Sequence, residues 1–252
     1  MHVSVCMATY NGELFIRDQI DSILRQLEPG DELIISDDSS SDKTVSIIKA
    51  IGDSRILLLE NNLFRHPIKN FENALKYASG EYIFLSDQDD IWLDTKYHDC
   101  LSLLEKADLV VSDSVVTDER LNPVHPSFFK FFGSRKGIIY NTFHSSYFGS
   151  CMAFKKGILN LALPFPETRE IGHDLWIGLI AELTGTVIFY DKPLILYRRH
   201  LNTSTAAGTG RSNRSLYSKL RGRYIILKEL LRFYFRYLRN GKRTRIHYNP
   251  NL

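Results

Sequence analysis

The chain has 252 residues, 44% of them hydrophobic and 24% charged, which predicts an ordinary soluble globular protein with one large α/β domain and room for an appendage. Its three cysteines, Cys6, Cys100 and Cys151, are far apart and lie in or beside apolar stretches, which argues against a disulfide framework or a zinc site and favours a reducing compartment. No run of 18 apolar residues occurs and the first residues carry no basic segment, so we expect neither a transmembrane helix nor a signal peptide.

The net charge of +3 conceals an uneven distribution. Residues 211–252 contain 12 of the 32 lysines and arginines and one of the 29 acidic residues, so they carry +11 and residues 1–210 carry −8. An acidic body with a basic tail predicts an anionic partner for the tail. Nucleic acid is not expected as that partner, because the body is acidic and no recognition motif is present.

Apolar strands and amphipathic helices alternate through the first 112 residues. Strands are predicted at 2–8, 32–36, 55–59, 81–85 and 108–112, and helices at 14–27, 43–50, 70–79 and 95–106. This alternation predicts an α/β fold with βαβ units and a mostly parallel central sheet. Ligands bind at the carboxyl ends of such strands, so the polar loops after strands one, two and four are expected to converge on one crevice.

The rest of the body is less regular. We predict a surface loop or short helix at 128–132, a strand at 148–154, a helix at 175–183 and closing strands at 186–190 and 194–197. The aromatic residues of 128–132 suit either the core or an acceptor platform. Residues 201–213 have the composition of a flexible connector.

Three carboxylates, Asp87, Asp89 and Asp90, directly follow the fourth predicted strand. Carboxylates this close repel one another, which indicates a bound cation or hydrogen-bond donors among them. We interpret the stretch as a metal or phosphate site, and a solvated acidic turn is the alternative.

Several other nucleotide and metal motifs are absent. Neither Gly-x-Gly-x-x-Gly nor a Gly-Lys-[Ser/Thr] loop occurs, which argues against dinucleotide oxidoreductases and P-loop enzymes. Trp92 stands where an EF-hand loop needs glycine. The cluster suits the departure of a diphosphate, whose charge a Mg²⁺ or Mn²⁺ ion on one or two carboxylates neutralises. The attacking hydroxyl needs a base, and Asp174 is the best candidate in the second half.

Five motifs together resemble family 2 glycosyltransferases of the GT-A fold, and most closely the bacterial rhamnosyltransferase-type members that build O-antigen, capsule or cell-wall polysaccharide. The motifs are Ala8-Thr9-Tyr10-Asn11-Gly12-Glu13, Asp37-Asp38-Ser39-Ser40-Ser41-Asp42, Ser86-Asp87-Gln88-Asp89-Asp90-Ile91-Trp92, Gly172-His173-Asp174-Leu175-Trp176 and Tyr197-Arg198-Arg199-His200-Leu201-Asn202. They follow the family's order over residues 2–205. The resemblance implies a Rossmann-like GT-A catalytic domain at 1–205, with a nucleotide-binding half at 1–112 and an acceptor half at 113–205.

The resemblance also implies residues that bind the nucleotide sugar. Asp38 would hydrogen-bond the base edge of uracil or thymine, and Asp87 would lie by the ribose and diphosphate. The other implied nucleotide-sugar residues are Thr9, Tyr10, Asn11, Glu13 and Gln88.

At the diphosphate end, the resemblance implies a Mn²⁺ or Mg²⁺ site. Asp89 would be the direct ligand, with Asp87 beside the ion and His200 adding a metal or diphosphate contact. Arg198 or Arg199 would steady the phosphates. Asp174 would be the general base of a single in-line displacement with inversion.

Several of these roles have structural alternatives. Asp37 or Asp38 could cap a turn, and Asp174 could be the N-cap of its helix, although capping and catalysis are compatible. The family often has Glu-Asp at the base position, where this chain has His173 before Asp174. His173 therefore either tunes the base or packs.

After a linker at 206–213, residues 214–252 are predicted to form a basic amphipathic helix and tail. Apolar residues recur three and four apart from Leu216 to Leu238, and lysines and arginines occupy another face. Such a helix is typical of a membrane-surface element that binds anionic lipid. The alternative is that its apolar stripe docks on the body, and both can hold.

The sequence thus predicts an inverting, metal-dependent glycosyltransferase that moves a sugar from dTDP-rhamnose or a UDP-hexose to a lipid-linked glycan on undecaprenyl diphosphate. We expect it to be cytoplasmic and peripheral on the inner face of the cell membrane. Two alternatives are a sugar nucleotidyltransferase, whose Gly-rich loop after the first strand is absent here, and a non-catalytic scaffold of a polysaccharide assembly complex.

Overall fold

The computed structural model describes residues 2–200 and 215–246, with side chains up to residue 239. The predicted linker at 206–213 lies outside these ranges. The chain divides into two compact units, one within Met1–Phe165 and Gly172–Gly210 and the other within Pro166–Ile171 and Arg211–Leu252. All residues predicted for the site belong to the first unit.

A mixed sheet, with nine strands among the described residues, forms the centre of the first unit. The strands are β1 (Val3–Thr9), β2 (Glu32–Asp37), β3 (Ile56–Leu59), β4 (Tyr82–Ser86), β5 (Ile91–Trp92), β6 (Leu109–Thr117), β7 (Pro123–His125), β8 (Met152–Lys155) and β9 (Val187–Arg198). Their order is β3-β2-β1-β4-β8-β6-β9-β5, with β7 beside β6.

The strands of the first half are parallel, as predicted. β1 pairs with β2 and β4, and β2 pairs with β3, all in parallel register. The side chains of β1, β2 and β4 are almost all buried, as is usual for parallel strands in the interior of a sheet, whereas those of the edge strand β3 are partly exposed. The carboxyl ends of β1, β2 and β4 therefore meet at one edge, where the polar loops emerge.

Eight helices and a short turn complete the first unit within the described residues. The helices are α1 (Ile16–Leu24), α2 (Thr44–Ile51), α3 (Pro67–Tyr77), α4 (Lys96–Leu104), α5 (Phe128–Phe132), α6 (Ile138–Phe143), α7 (Lys156–Ala162) and α8 (His173–Thr184), with a 3-10 turn at Gly149–Cys151.

Local signals set several helix boundaries. The N-cap of α2 is Lys43, and just before it Asp42 Oδ1 accepts from the backbone N–H of Thr44 at 2.9 Å. Gly52 ends α2 in the left-handed conformation, with a φ of 68° that favours glycine. Pro67 begins α3, and proline suits this position because the first N–H groups of a helix have no acceptor within the helix.

The second half of the chain differs from the prediction in several elements. β9 is one strand through Asp191-Lys192-Pro193 rather than two, because a register shift lets Pro193 pair with Asp113 of β6. α7 was not predicted, since Gly157 and Asn160 weaken its helical pattern. The strand predicted at 148–154 is the 3-10 turn followed by the shorter β8.

The second unit contains α9 (Leu216–Ile246), a helix of 31 residues. It begins two residues after the predicted start at 214 and is described as far as Ile246. A row of apolar side chains along it is exposed, among them Tyr217, Leu220 and Tyr224. No helix among the described residues is both long enough and apolar enough to cross a membrane.

Candidate active site

Hydrogen bonds fasten the loop after β1 to the loop after β2. Asn11 adopts a left-handed conformation with a φ of 47°, and its backbone N–H donates to Ser40 Oγ at 2.9 Å. Asn11 Oδ1 accepts from the N–H of Ser41 at 2.9 Å, and the Gly12 N–H donates to Thr44 Oγ1 at 2.7 Å. These contacts hold together two loops that carry residues predicted to bind the nucleotide sugar.

Glu13 makes a further contact between these two loops. Its Oε2 accepts from the N–H of Lys43 at 2.9 Å, and its own N–H donates to Asp42 Oδ2 at 3.1 Å. A carboxylate beside the first turn of α2 is favoured by the helix dipole. The predicted contact of Glu13 with a nucleotide stays a prediction.

Gln88 joins the loop after β4, which carries Asp87, Asp89 and Asp90, to the loop after β1. Its Oε1 accepts from the Tyr10 N–H at 2.9 Å, and its Nε2 donates to the Tyr10 carbonyl oxygen at 3.1 Å. Gly12 leaves room for this amide, since a Cβ there would lie 2.6 Å from Gln88 Oε1. Gln88 therefore fixes the backbone of Tyr10, whose exposed ring is accessible to a nucleobase.

Two neighbouring carboxylates at the end of β2 have different partners. Asp37 is buried and accepts from Thr9 Oγ1 at 2.9 Å, so both residues secure the loop. Asp38 accepts from the backbone N–H groups of Phe64 at 2.6 Å and His66 at 3.2 Å. A carboxylate has about four acceptor positions, so Asp38 keeps lone pairs for a base edge.

Asp87, Asp89 and Asp90 form the acidic loop at the carboxyl end of β4. Asp90 is fully buried, and burial together with the charges of Asp89 and Asp87 raises its pKa well above the usual range. Burial, followed by the charge of Asp89, raises the pKa of Asp87 to about 7. The Asp174 charge also raises the pKa of Asp87, so the predicted base lies within electrostatic reach of the loop.

Arg198 and His200, at the end of β9, brace the acidic loop. The Arg198 N–H donates to Asp90 Oδ1 at 3.1 Å, and its Nε donates to the Asp89 carbonyl oxygen at 2.9 Å. His200 Nε2 lies 2.8 Å from Asp89 Oδ2, which brings the predicted metal residues together. The phosphate contacts predicted for Arg198 or Arg199 stay predictions.

Sequence reasoning missed a buried residue that contacts this loop and a second buried residue that holds the first. Ser150 Oγ donates to Asp87 Oδ2 at 2.6 Å, and Lys96 Nζ donates to the Ser150 carbonyl oxygen at 2.8 Å. Neither residue belongs to a motif. Helical spacing could have indicated Lys96, because it precedes the buried Cys100 and Leu104 by four and eight residues on the apolar face of α4.

Asp174 lies in the first turn of α8, whose N-cap is Gly172. The alternative that Asp174 is itself the N-cap is therefore wrong. Its Oδ1 accepts from the Leu175 N–H at 2.7 Å. His173 stacks on Phe71 with ring centroids 4.0 Å apart, and burial lowers the pKa of His173. These contacts favour packing as the role of His173.

The donor set of the acidic loop fits an ion that shares its shell with a substrate. Among residues 2–200 and 215–239, no three His, Cys, Asp or Glu side chains are arranged to hold a metal ion by themselves. Mg²⁺ and Mn²⁺ are commonly bound by one or two carboxylates, with water and phosphate oxygens completing the shell. The buried Asp90 Oδ2 accepts no hydrogen bond from the described residues, and a nearby cation would relieve the repulsion among the three carboxylates.

The family described as Glycosyl transferase family 2 matches residues 4–161, which is more than half of the chain. The chain belongs to glycosyl transferase family 2. The matched segment contains the loops after β1, β2 and β4 and the Gly149–Cys151 turn. The match confirms the family membership predicted from the five motifs.

Bacterial glycosyltransferases are similar to this family 2 chain. WfaP of Escherichia coli, a UDP-Glc:alpha-D-GlcNAc-diphosphoundecaprenol beta-1,3-glucosyltransferase, is 30% identical over 186 residues, 71% of this chain and 70% of that protein. RfbG, a dTDP-rhamnosyl transferase of Shigella flexneri, is 30% identical over 226 residues, 80% of this chain and 74% of that protein. WfgD of E. coli is 40% identical over 104 residues, and the aligned part spans 41% of each protein.

Solved structures resemble the chain in fold. Residues 1–349 of TarS from S. aureus, in complex with UDP-GlcNAc, have a TM-score of 0.64 and 21% identity, over 84% of this chain and 62% of that one. The mannosyltransferase PcManGT from Pyrobaculum calidifontis, in complex with GDP-Man and Mn²⁺, has a TM-score of 0.56 and 20% identity, over 80% of this chain and 57% of that one. The predicted α/β GT-A fold is confirmed.

Proposed function

We propose that this family 2 chain is an inverting glycosyltransferase that moves a sugar from a nucleotide-sugar donor to a hydroxyl group of a lipid-linked glycan. One observation carries the proposal: the Gly149–Cys151 turn lies against both Asp87 of the acidic loop and His173 beside Asp174, and Gln88 hydrogen-bonds the acidic loop to the loop that bears Tyr10. A nucleoside pocket, a diphosphate site and a base are the three parts that such a transfer needs.

The donor end follows from the braced loops. Tyr10 would stack on the base, and Asp38 would accept from its N–H edge, with Thr9, Asn11 and Glu13 shaping the nucleoside pocket. Uracil and thymine both present that edge, so a UDP-hexose and dTDP-rhamnose fit equally. The similarity to WfaP and to RfbG supports these two donor classes.

At the diphosphate end, Asp89 and Asp87 would hold Mn²⁺ or Mg²⁺, with His200 against Asp89. The ion would supply positive charge to the departing diphosphate. Asp174 would take the proton from the acceptor hydroxyl as that oxygen attacks the anomeric carbon, which inverts its configuration. Arg198 would keep Asp89 and Asp90 in place through their backbone and carboxylate contacts.

The acceptor proposed is a glycan on undecaprenyl diphosphate, by analogy with the acceptor in the name of WfaP. Such an acceptor lies at a membrane surface, so we place the chain at the cytoplasmic face as a peripheral protein. The exposed apolar row of α9 supports this, because Tyr217, Leu220, Tyr224, Leu227, Leu231, Tyr234 and Leu238 alternate in spacings of three and four.

Charge favours an anionic surface over a second copy of α9 as the partner of this row. In a paired coiled coil, Arg221, Arg223 and Lys228 would flank the row at positions that usually carry opposite charges. Two copies would therefore bring like charges together. Anionic lipid would instead attract them, at about 1 kcal/mol for each lysine or arginine near the surface.

A donor screen followed by a transfer assay tests the proposal. The purified chain would be heated with UDP-glucose, UDP-galactose, UDP-GlcNAc or dTDP-rhamnose, with and without Mn²⁺, and the stabilising donor would be incubated with a polyprenyl-diphosphate-linked GlcNAc acceptor. We expect addition of one sugar to the acceptor, seen by mass spectrometry, and release of a nucleoside diphosphate.

The same assay separates the two alternatives. A sugar nucleotidyltransferase would release pyrophosphate from a nucleoside triphosphate and a sugar phosphate. A non-catalytic scaffold would bind a donor without turnover under every condition. Either result would contradict the proposed transfer.

A further inference from the structure

The 3-10 turn Gly149–Cys151 lies between the acidic loop and the start of α8. Ser150 contacts Asp87 on one side, and on the other a Cβ on Gly149 would lie 3.1 Å from His173 Nε2. The turn thus separates the proposed diphosphate carboxylates from the residue next to the proposed base. A displacement of the turn would therefore act on Asp87 through Ser150 and on His173 through Gly149.

Lys96 holds this turn from inside the protein. Its side chain is fully buried, its Nζ donates to the Ser150 carbonyl oxygen at 2.8 Å, and it lies 5.1 Å from the centre of the Trp92 ring. A buried ammonium group is costly unless acceptors and opposite charge compensate it. The Ser150 carbonyl oxygen supplies that acceptor, and the face of the Trp92 ring lies within the distance of a cation–π contact.

Ser150 then fixes the direction of the Asp87 carboxylate. Its hydroxyl is 3% exposed and donates to Asp87 Oδ2 at 2.6 Å, a length typical of a bond to a charged acceptor. The repulsion from Asp89 would otherwise turn Asp87 away. Ser150 binds Oδ2, whereas Oδ1 makes no hydrogen bond to the described residues, so Oδ1 is available to a ligand.

We propose that Ser150, anchored by Lys96, is a positioning residue that presents the Asp87 carboxylate to the divalent cation and diphosphate of the donor. The inference rests on the proposed function, because it assigns a partner to the same site. Ser150 touches neither the substrate nor the ion; it acts through Asp87. Groups that orient ligands in this way typically change metal affinity about 10- to 100-fold when they are removed.

The test compares Ser150→Ala with Ser150→Thr, which keeps a hydroxyl donor, and with Ser112→Ala. Ser112 is a matched control because it is equally buried and its hydroxyl donates to the carbonyl oxygen of Cys151 in the same turn, at 3.4 Å, without reaching a carboxylate. Mn²⁺ binding would be followed by electron paramagnetic resonance with excess UDP, and repeated with dTDP. Thermal unfolding without metal would report on folding.

We expect Ser150→Ala to weaken Mn²⁺ binding at least tenfold, Ser150→Thr to restore most of it, and Ser112→Ala to match the unsubstituted chain. Lys96→Met, which keeps the length of the side chain but not its donor, is expected to weaken binding in the same direction. If Ser150→Ala fails to fold, the comparison of Ser150→Thr and Lys96→Met with the unsubstituted chain still decides the outcome.

Equal Mn²⁺ affinity in Ser150→Ala and the unsubstituted chain would overturn the inference and leave the proposed function intact. An equal loss in Ser150→Ala and Ser112→Ala would also overturn it, because the turn as a whole would then be responsible. If the unsubstituted chain bound no Mn²⁺ with either nucleotide, the metal-dependent function and the inference would both be contradicted.

Discussion

The folded state disfavours the charged form of the Asp87 carboxyl group. Burial and then the Asp89 charge raise its pKa to about 7, against about 3.9 for an unfolded aspartate. A raised carboxyl pKa means that the folded state binds the extra proton between those two values. The contribution of Asp87 to stability is therefore largest below about pH 4 and is lost as the pH rises towards 7.

Asp87→Asn is accordingly expected to stabilise the metal-free protein at pH 8 by a few degrees, and to have less effect at pH 5. The reason is that asparagine removes a charge that the folded state disfavours but keeps an acceptor for Ser150. Thermal unfolding in a chelator at both pH values measures this. Asp94→Asn, at an exposed position near the loop, is the control and should change neither melting temperature.

The absence of a side chain at Gly12 leaves space for the Gln88 amide that binds the backbone of Tyr10. In Gly12→Ala, the new Cβ would lie 2.6 Å from Gln88 Oε1, so the flexible amide would move and release the backbone of Tyr10. We expect little change in melting temperature and a clear loss of donor affinity, measured by calorimetry with the preferred nucleotide sugar. Gly30→Ala, with nothing within 4 Å of its Cβ, is the control, and equal donor affinity in both variants would contradict this role of Gln88.

Helices and strands could be predicted where the local pattern of apolar residues is sufficient to identify them. β1, β2 and β4 are short, mostly apolar segments, and apolar residues of α1 and α3 repeat at helical spacing, so the parallel half could be predicted from sequence. β9 could not, because Lys192 and Pro193 resemble a turn and only pairing with β6 keeps them in the strand. Tertiary pairing decides such segments.

α8 packs closely on Tyr147 through Gly178. A Cβ at Gly178 would collide with the ring of Tyr147, whose hydroxyl donates to Glu182 on the same helix. We expect Gly178→Ala to lower the free energy of unfolding by about 1–3 kcal/mol, as overpacking does. Gly157→Ala in α7, where the added Cβ meets nothing within 4 Å, should be neutral or slightly stabilising in denaturant titrations. Equal changes in the free energy of unfolding in the two variants would contradict the close packing of α8 on Tyr147 at Gly178.

The loops of the site were predictable as a group, but their internal contacts were not. Parallel strands bring their carboxyl ends to one edge, so Thr9, Asp38 and Asp87 could be placed together from sequence. The bracing role of Gln88 and the contact of Ser150 with Asp87 depend on side-chain conformations and on residues that are 78 and 63 positions apart. No spacing rule contains that information.

At the scale of the whole molecule, the basic charge of α9 is expected to control membrane association. Replacing Lys228, Arg232, Arg236 and Arg239 with glutamine should weaken binding to phosphatidylserine-containing vesicles well over tenfold, since each contributes about 1 kcal/mol near such a surface. Sedimentation with vesicles at low and high salt measures this. The control replaces four lysines of the first unit, Lys49, Lys76, Lys106 and Lys192, and equal losses in the two proteins would refute the assignment to α9.

The central claim is that this crevice performs glycosyl transfer with Asp174 as the base. The most direct measurement is to compare donor binding and sugar transfer in Asp174→Asn, which keeps the shape and the hydrogen-bond acceptor but cannot take a proton. The account predicts that calorimetric affinity for the nucleotide sugar with Mn²⁺ stays within about twofold while transfer falls by at least 100-fold, the upper part of what a positioned general base usually contributes. Retention of transfer, or a parallel loss of binding and transfer, would contradict it.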